Sequence, residues 1–237
     1  MARKTYFVTG TDTGVGKTQV TAALLYAARN AGLRTLAIKP VAAGCEETAD
    51  GLRNDDALLL QQAATEPLSY QEINPFALAE AIAPHAAADN AGIKLSARRL
   101  AGFCSGVMGK PADLCLIEGA GGWRVPLNKR ETYARLPQEL QLPVILVVDL
   151  RLGCINHALL TAEAIRRDGL VVAGWVANRA GAERMAAEAQ TLNYLSQALA
   201  APRLGNLPFL PAASAESLAA HLDPAAIAML IERLVEN

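Results

Sequence analysis

A run of β-forming residues, Thr5–Thr9, meets the segment Gly10-Thr11-Asp12-Thr13-Gly14-Val15-Gly16-Lys17-Thr18. An Ala- and Leu-rich stretch follows, Lys17–Ala31, closed by Gly32. Strand, glycine-rich turn and helix in that order make a phosphate cradle. The glycines let backbone N–H groups approach phosphate oxygens, and the helix adds its positive N-terminal end. Lys17 then reaches the β- and γ-phosphates as a point charge, and the Thr18 hydroxyl suits Mg²⁺. The loop departs from the pattern G-x-x-x-x-G-K-[ST] at one place. That pattern needs glycine at position 11, where Thr11 stands, and the glycine comes one step early, at Gly10. A nucleoside triphosphate with magnesium is the ligand this turn predicts, wrapped by Thr13, Gly14, Val15, Gly16, Lys17 and Thr18.

The rest of the chain alternates in the same way. Thr35–Lys39, Leu114–Ile117, Val144–Asp149, Leu170–Ala177 and Arg203–Leu207 read as strands. Asp55–Ala64 (with Asn54 as cap), Ser96–Val107, Ile155–Arg167, Glu183–Leu199, Ala215–His221 and Pro224–Val235 read as helices. Apolar strands without polar alternation belong to a parallel sheet covered on both faces, and helices between them supply right-handed crossovers. The fold class expected is α/β: a single-domain, doubly wound, mostly parallel sheet of the P-loop NTPase type over residues 1–237, with ligands at the carboxyl ends of its strands. The least patterned stretch, Glu66–Leu95 with Pro67, Pro75 and Pro84, reads as a functional loop region.

Composition narrows the function. Lys plus Arg number 22 against 23 for Asp plus Glu, a net charge of −1, so no nucleic-acid surface is expected. No apolar run reaches the roughly 18 residues of a membrane span, and no signal-peptide core is present; a cytoplasmic location is expected. Cys45, Cys104, Cys115 and Cys154 lack CxxC spacing and read as reduced, mostly buried thiols. His85, His157 and His221 are too scattered for zinc. No G-x-S-x-G marks a nucleophilic serine.

Four charged residues stand at strand ends or at a helix start: Lys39, Glu118, Asp55 and Asp56. Lys39 follows the second strand, where a lysine is either a solvated strand end or, beside Lys17, a second cation for an anionic transition state. Glu118 closes an apolar strand, a costly place for a carboxylate that finds no cation. Asp55 and Asp56 open a helix, where the dipole favours them in any case. Asp55 fits a capping role, and Asp56 is open to another. Trp123 and Trp175 read as packing residues, Trp123 beside a Gly-rich loop.

Taken together, these residues resemble dethiobiotin synthetases. The matching blocks are Tyr6–Thr13, Val15–Thr18, Lys39–Ala42, Gly51–Asn54 with Asp56, Glu118–Trp123, Leu142–Val148, Leu152–Ala158 and Ala173–Asn178, in family order over roughly residues 6 to 210. The P-loop block is shared by many ATPases; Glu118–Trp123 and Leu152–Ala158 are far more specific. The resemblance implies ATP-dependent ring closure of 7,8-diaminononanoate with CO₂. One amine forms a carbamate, a carbamate oxygen attacks the γ-phosphate, and the second amine displaces phosphate from the mixed anhydride. It also implies roles: Lys39, Lys17 and Thr13 in catalysis; Thr18, Asp56 and Glu118 on magnesium; Asn178 at the adenine. Lys39, Gly121, Gly153, Cys154, Ile155 and Asn156 would bind the substrate, the last four offering a helix N-terminus to its carboxylate across a two-fold homodimer interface. Two positions depart from the family: Ala43 replaces a common serine, and Gly14 stands where some members have glutamate.

Two other ATP-using classes compete. Partition ATPases carry a signature lysine in the loop, and the aligned place here is Asp12. Cofactor amidoligases draw ammonia from a glutamine-cleaving domain, for which the chain has neither room nor an evident cysteine setting.

Overall fold

The computed structural model describes residues 3–232. In chain order its elements are β1 (Lys4–Gly10), α1 (Lys17–Asn30), β2 (Thr35–Ile38), β3 (Val41–Ala43), β4 (Glu46–Thr48), β5 (Gly51–Arg53), α2 (Asp55–Ala63), α3 (Tyr70–Ile73), β6 (Phe76–Leu78), α4 (Pro84–Asn90), α5 (Ala97–Met108), β7 (Leu114–Gly122), α6 (Arg135–Leu140), β8 (Val144–Asp149), α7 (Cys154–Arg167), β9 (Val172–Asn178), α8 (Glu188–Ala198), β10 (Arg203–Leu207), α9 (Ala215–Ala219) and α10 (Pro224–Glu232).

Six strands form one sheet in the order β2-β7-β1-β8-β9-β10, every pair parallel. Successive residues of each strand feed opposite layers. Phe7, Ile38, Ile117, Leu146 and Val148 enter one core with α5 and α7, while Tyr6, Val8, Ala37, Leu116 and Val147 enter the other with α1, α9 and α10. Both faces are therefore buried, which is why the strands show no polar alternation. The expected α/β class is the one observed.

The chain leaves β1 toward β2 on one side, then returns past β1 to β8 on the other. This reversal opens a crevice at the carboxyl end of β1. Register sets what stands at its rim. Ile38 pairs with Ile117, so Lys39 follows level with Glu118; Gly10 pairs with Gly122, and Asp149 with Asn178.

Some boundaries differ from expectation. Residues 183–187 are not helical. Ala187 takes a left-handed backbone (φ 57°), and α8 begins at Glu188, whose carboxylate is drawn onto Arg179 at 2.7 Å. Helix α7 starts one residue early, at Cys154, and β9 two residues late, at Val172. The stretch 66–95 is not featureless: it holds α3, β6 and α4, and β6 pairs in parallel with β3. The last expected helical residues, 233–235, lie outside the described residues. Among the described residues no helix is long and apolar enough to cross a membrane, and all four cysteines are free and buried.

Candidate functional site

The glycine-rich turn is built by close contacts. Gly16, with φ 82°, caps α1 in the left-handed region, and a Cβ there would lie 2.2 Å from the Asn178 Nδ2 atom. The same Nδ2 donates to the Val15 carbonyl at 2.8 Å, tying the loop to the end of β9. The offset glycine has a local reason. A Cβ on Gly10 would stand 2.5 Å from the Val15 side chain, so the crowded position is 10, while the Thr11 N–H pairs with the Val147 carbonyl at 3.0 Å. Val15 itself points into the core, leaving only its backbone toward a ligand.

Behind the loop lies a charged cluster. Lys39 Nζ is 2.6 Å from Glu118 Oε1 and 2.9 Å from Asp56 Oδ2, and the Thr18 hydroxyl donates to the same Glu118 oxygen at 2.8 Å. Glu118 is 0% exposed, and its Oε2 has no hydrogen-bond partner among the described residues. Lys39 is 5% exposed, so the solvated strand end is overturned; the ammonium neutralises two carboxylates. Burial works to lower the Lys39 pKa, but the charges of Glu118 and then Asp56 outweigh it and hold the group above its ordinary value. For Asp56 burial works upward, and the Lys39 charge and hydrogen bond overcome it, leaving the carboxyl below its usual range. Lys17 pairs with no carboxylate among the described residues, and its Nζ donates to the Asp12 carbonyl at 3.3 Å. Burial pushes Lys17 down to about 8, against the pull of Glu118 and with the push of Lys39.

Asn54 supplies the cap of α2 by accepting from the Ala57 N–H at 3.4 Å, which leaves Asp56 free to face the lysine. Thr18, Asp56 and Glu118 together form an all-oxygen donor set. With only two carboxylates it falls short of an all-protein cage, and it suits a hard divalent cation that also takes phosphate and water oxygens. The orphaned Glu118 oxygen fits such an ion.

A cleft of 660 Å³ opens over this cluster. Of the residues singled out in the sequence, Thr13, Gly14, Gly16, Lys17, Thr18, Lys39, Asp56 and Gly121 come together in its lining. Thr13 Oγ1 faces Gly121 closely enough that a Cβ there would sit 3.3 Å away. The apolar wall of the cleft adds Ala81, Ile82, Ala83 and Val125, which the sequence does not mark, to Ala42 and Ala43. The Gly44 N–H to the Glu80 carbonyl (3.0 Å) and the Cys45 N–H to the Leu78 carbonyl (2.9 Å) hold this wall in place. Short, weakly patterned strands such as β3 and β6 leave little signal in a sequence.

A second cleft, of 300 Å³, joins the first at Gly14 and Gly16, and is lined by Asn178, Arg179, Pro208, Phe209 and Leu210. Its Pro-Phe-Leu side was also missed. Gly153, Cys154, Ile155 and Asn156 do not line either cleft of this chain. Cys154 is buried at the start of α7, and Leu152 just before it is 90% exposed. The loop leading to them does touch the cradle, through Arg151 to Asp12 at 3.1 Å. Trp175 is fully buried, and the Trp123 indole donates to Asp168 at 2.8 Å; both are packing residues.

A parallel sheet with a glycine-rich loop at its switch point, a buried lysine at the end of that loop and a hydroxyl beside Glu118, which lies within β7 because that strand runs on to Gly122 and does not stop at Ile117, define a P-loop nucleotide-binding protein. A family profile described as an AAA domain matches residues 4–217. The chain belongs to the ATP-dependent dethiobiotin synthetases: it is 66% identical over 210 residues to the enzyme of that name from Marinobacter nauticus, covering 89% of this chain and 90% of that one. The Cellvibrio japonicus enzyme is 57% identical over 223 residues, covering 94% and 97%. Among solved structures, a ParA family ATPase from Chlorobium tepidum superposes with TM-score 0.54 at 12% identity over 98% of this chain and 99% of that one. The signal recognition particle receptor FtsY of Elizabethkingia anophelis, in complex with GDP, gives 0.52 at 15% identity over 98% and 64%. Those likenesses are of fold alone.

Proposed function

We propose that this chain, acting as one domain, closes the cyclic urea of dethiobiotin from 7,8-diaminononanoate and CO₂ with ATP and Mg²⁺. It is a ligase of biotin biosynthesis. The observation that carries the site reading is one cleft with two kinds of lining. Lys17, Lys39 and Thr13 bring two cations and a hydroxyl to it, and Ala42, Ala43, Ala81, Ile82, Ala83 and Val125 bring apolar surface. That pairing suits a substrate with an alkyl chain and a reacting anionic end.

Each residue then has a task. The wall takes the alkyl chain. Lys17 and Lys39 hold the carbamate and γ-phosphate oxygens in line, and the Thr13 hydroxyl donates to the same phosphate. A carbamate oxygen attacks the γ-phosphorus and ADP leaves. The second amine then attacks the carbamoyl carbon and phosphate leaves, closing the ring. Phosphoryl transfer of this kind asks the protein for charge and position more than covalent help. Thr18, Asp56 and Glu118 would hold magnesium, which supplies charge neutralisation on the phosphates. The base would enter the smaller cleft beside Asn178, whose Oδ1 is left free by the bond its Nδ2 makes to Val15.

The carboxylate end is read across a homodimer. Gly153–Asn156 open the 14-residue α7 outside this chain's own cleft, and the exposed Leu152 and Leu160 lie on the same segment. A two-fold pairing would bring this helix start of one protomer to the cleft of its partner. Sedimentation at micromolar concentration should give a dimer, and Leu152→Glu should give monomers with a raised KM for the diamine. A cytoplasmic location agrees with the reduced thiols.

The function is tested by ATP consumption. Purified protein should release ADP only when diamine and bicarbonate are both present, and Lys39→Ala should lower that rate by about 100-fold while nucleotide still binds. Hydrolysis indifferent to the diamine, or driven by DNA or vesicles, rules the reading out.

A further inference from the structure

The charged cluster holds a competition for one pair of carboxylates. Lys39 Nζ bridges Asp56 Oδ2 and Glu118 Oε1 at 2.9 and 2.6 Å, and Glu118 is fully buried. These are the carboxylates that, with the Thr18 hydroxyl, form the oxygen donor set. An ammonium and a divalent cation within a few ångströms in a buried site repel one another, so both cannot keep the same carboxylates. Glu118 Oε2, buried and without a hydrogen-bond partner among the described residues, offers an incoming cation a free oxygen beside the one the lysine holds. Lys39 also has an exit, since it lines the 660 Å³ cleft in which Lys17 and Thr13 stand.

We propose that Lys39 is a placeholder for the divalent cation: it neutralises Asp56 and Glu118 until the metal enters, and the metal then displaces it from Glu118 into the cleft. Two consequences follow from the geometry. Glu118 is never left as a bare buried anion, so the cluster folds without metal. The second lysine of the reaction becomes available to substrate oxygens only when the metal has arrived, so metal binding and charge supply in the cleft are one event. The proposal rests on the reading of Thr18, Asp56 and Glu118 as the metal donors.

The test is Mn²⁺ binding to the full chain without nucleotide, followed by the electron-paramagnetic signal of free Mn²⁺. Lys39→Met, which removes the competing cation, should bind Mn²⁺ about tenfold more tightly than the unaltered protein. Mn²⁺ should also raise the unfolding temperature of that variant more than it raises that of the parent. Lys39→Gln keeps a donor without the charge and serves if the methionine variant does not fold; the same tightening is expected. Equal or weaker Mn²⁺ binding in a folded Lys39 variant overturns the placeholder role. Glu118→Gln should abolish the tightening. If it instead binds Mn²⁺ like the parent, the metal-donor reading itself is overturned, a result distinct from failure of the lysine variants alone.

Discussion

Replacing Gly16 by alanine adds one carbon at the most crowded turn of the cradle. The backbone there has φ 82°, and the new Cβ would lie 2.2 Å from Asn178 Nδ2. The left-handed conformation costs an L-residue about 1–2 kcal/mol. The clash is relieved only if the Asn178 amide withdraws, breaking its 2.8 Å bond to the Val15 carbonyl. A neutral hydrogen bond of this kind contributes about 1 kcal/mol net. Gly16→Ala should therefore lose about 2–3 kcal/mol, the sum of these two contributions, in urea unfolding at fixed m-value. The apportioning is checked with a double-mutant cycle. In an Asn178→Ala background the clash and the bond are both gone, so Gly16→Ala should cost only its backbone strain, and the coupling should be about 1 kcal/mol. The same loss in both backgrounds would mean that the cost owes nothing to Asn178.

Three further outcomes are expected. Thr18→Val removes a hydroxyl that meets Glu118 at 2.8 Å, and should raise the Mg²⁺ concentration needed for half-maximal turnover about tenfold; an unaltered metal titration contradicts that role. Lys17, held at about 8 against an ordinary 10.5, binds fewer protons than the unfolded chain between those values, so its burial costs stability below pH 8 and costs less as pH rises toward 10.5. In EDTA, ATP affinity should accordingly fall as pH rises through 8 and beyond, with proton uptake on binding; an affinity flat from pH 7 to 9.5 contradicts it. Ala43→Ser restores a hydroxyl to the apolar wall and should lower KM for the diamine about two- to tenfold with kcat little changed.

The strands and the cradle were legible because their causes are local. A buried parallel strand needs a continuous apolar run, and a phosphate turn needs glycines and a lysine at fixed offsets, so Thr5–Thr9 and Gly10–Thr18 carry their own signal. Lys39 was ambiguous for the opposite reason. Its partners are 17 and 79 positions further along the chain, and only the β2–β7 register, Ile38 beside Ile117, brings it level with Glu118. The apolar wall was hidden because β3 and β6 are three residues each and their pairing is non-local. The start of α8 was misplaced because residues 183–187 have helix-forming composition, and the Arg179–Glu188 ion pair with a left-handed Ala187 overrides that preference. Only the family resemblance points to Gly153–Asn156 as a carboxylate-binding segment, a role that stays a proposal; in one chain it stands outside the clefts.

Ring closure is tested by its product. Purified protein given ATP, Mg²⁺, bicarbonate and 7,8-diaminononanoate should form dethiobiotin with one phosphate released per molecule, labelled carbon from bicarbonate appearing in the urea carbonyl. Phosphate released without dethiobiotin, or dethiobiotin lacking the bicarbonate carbon, rules this reaction out.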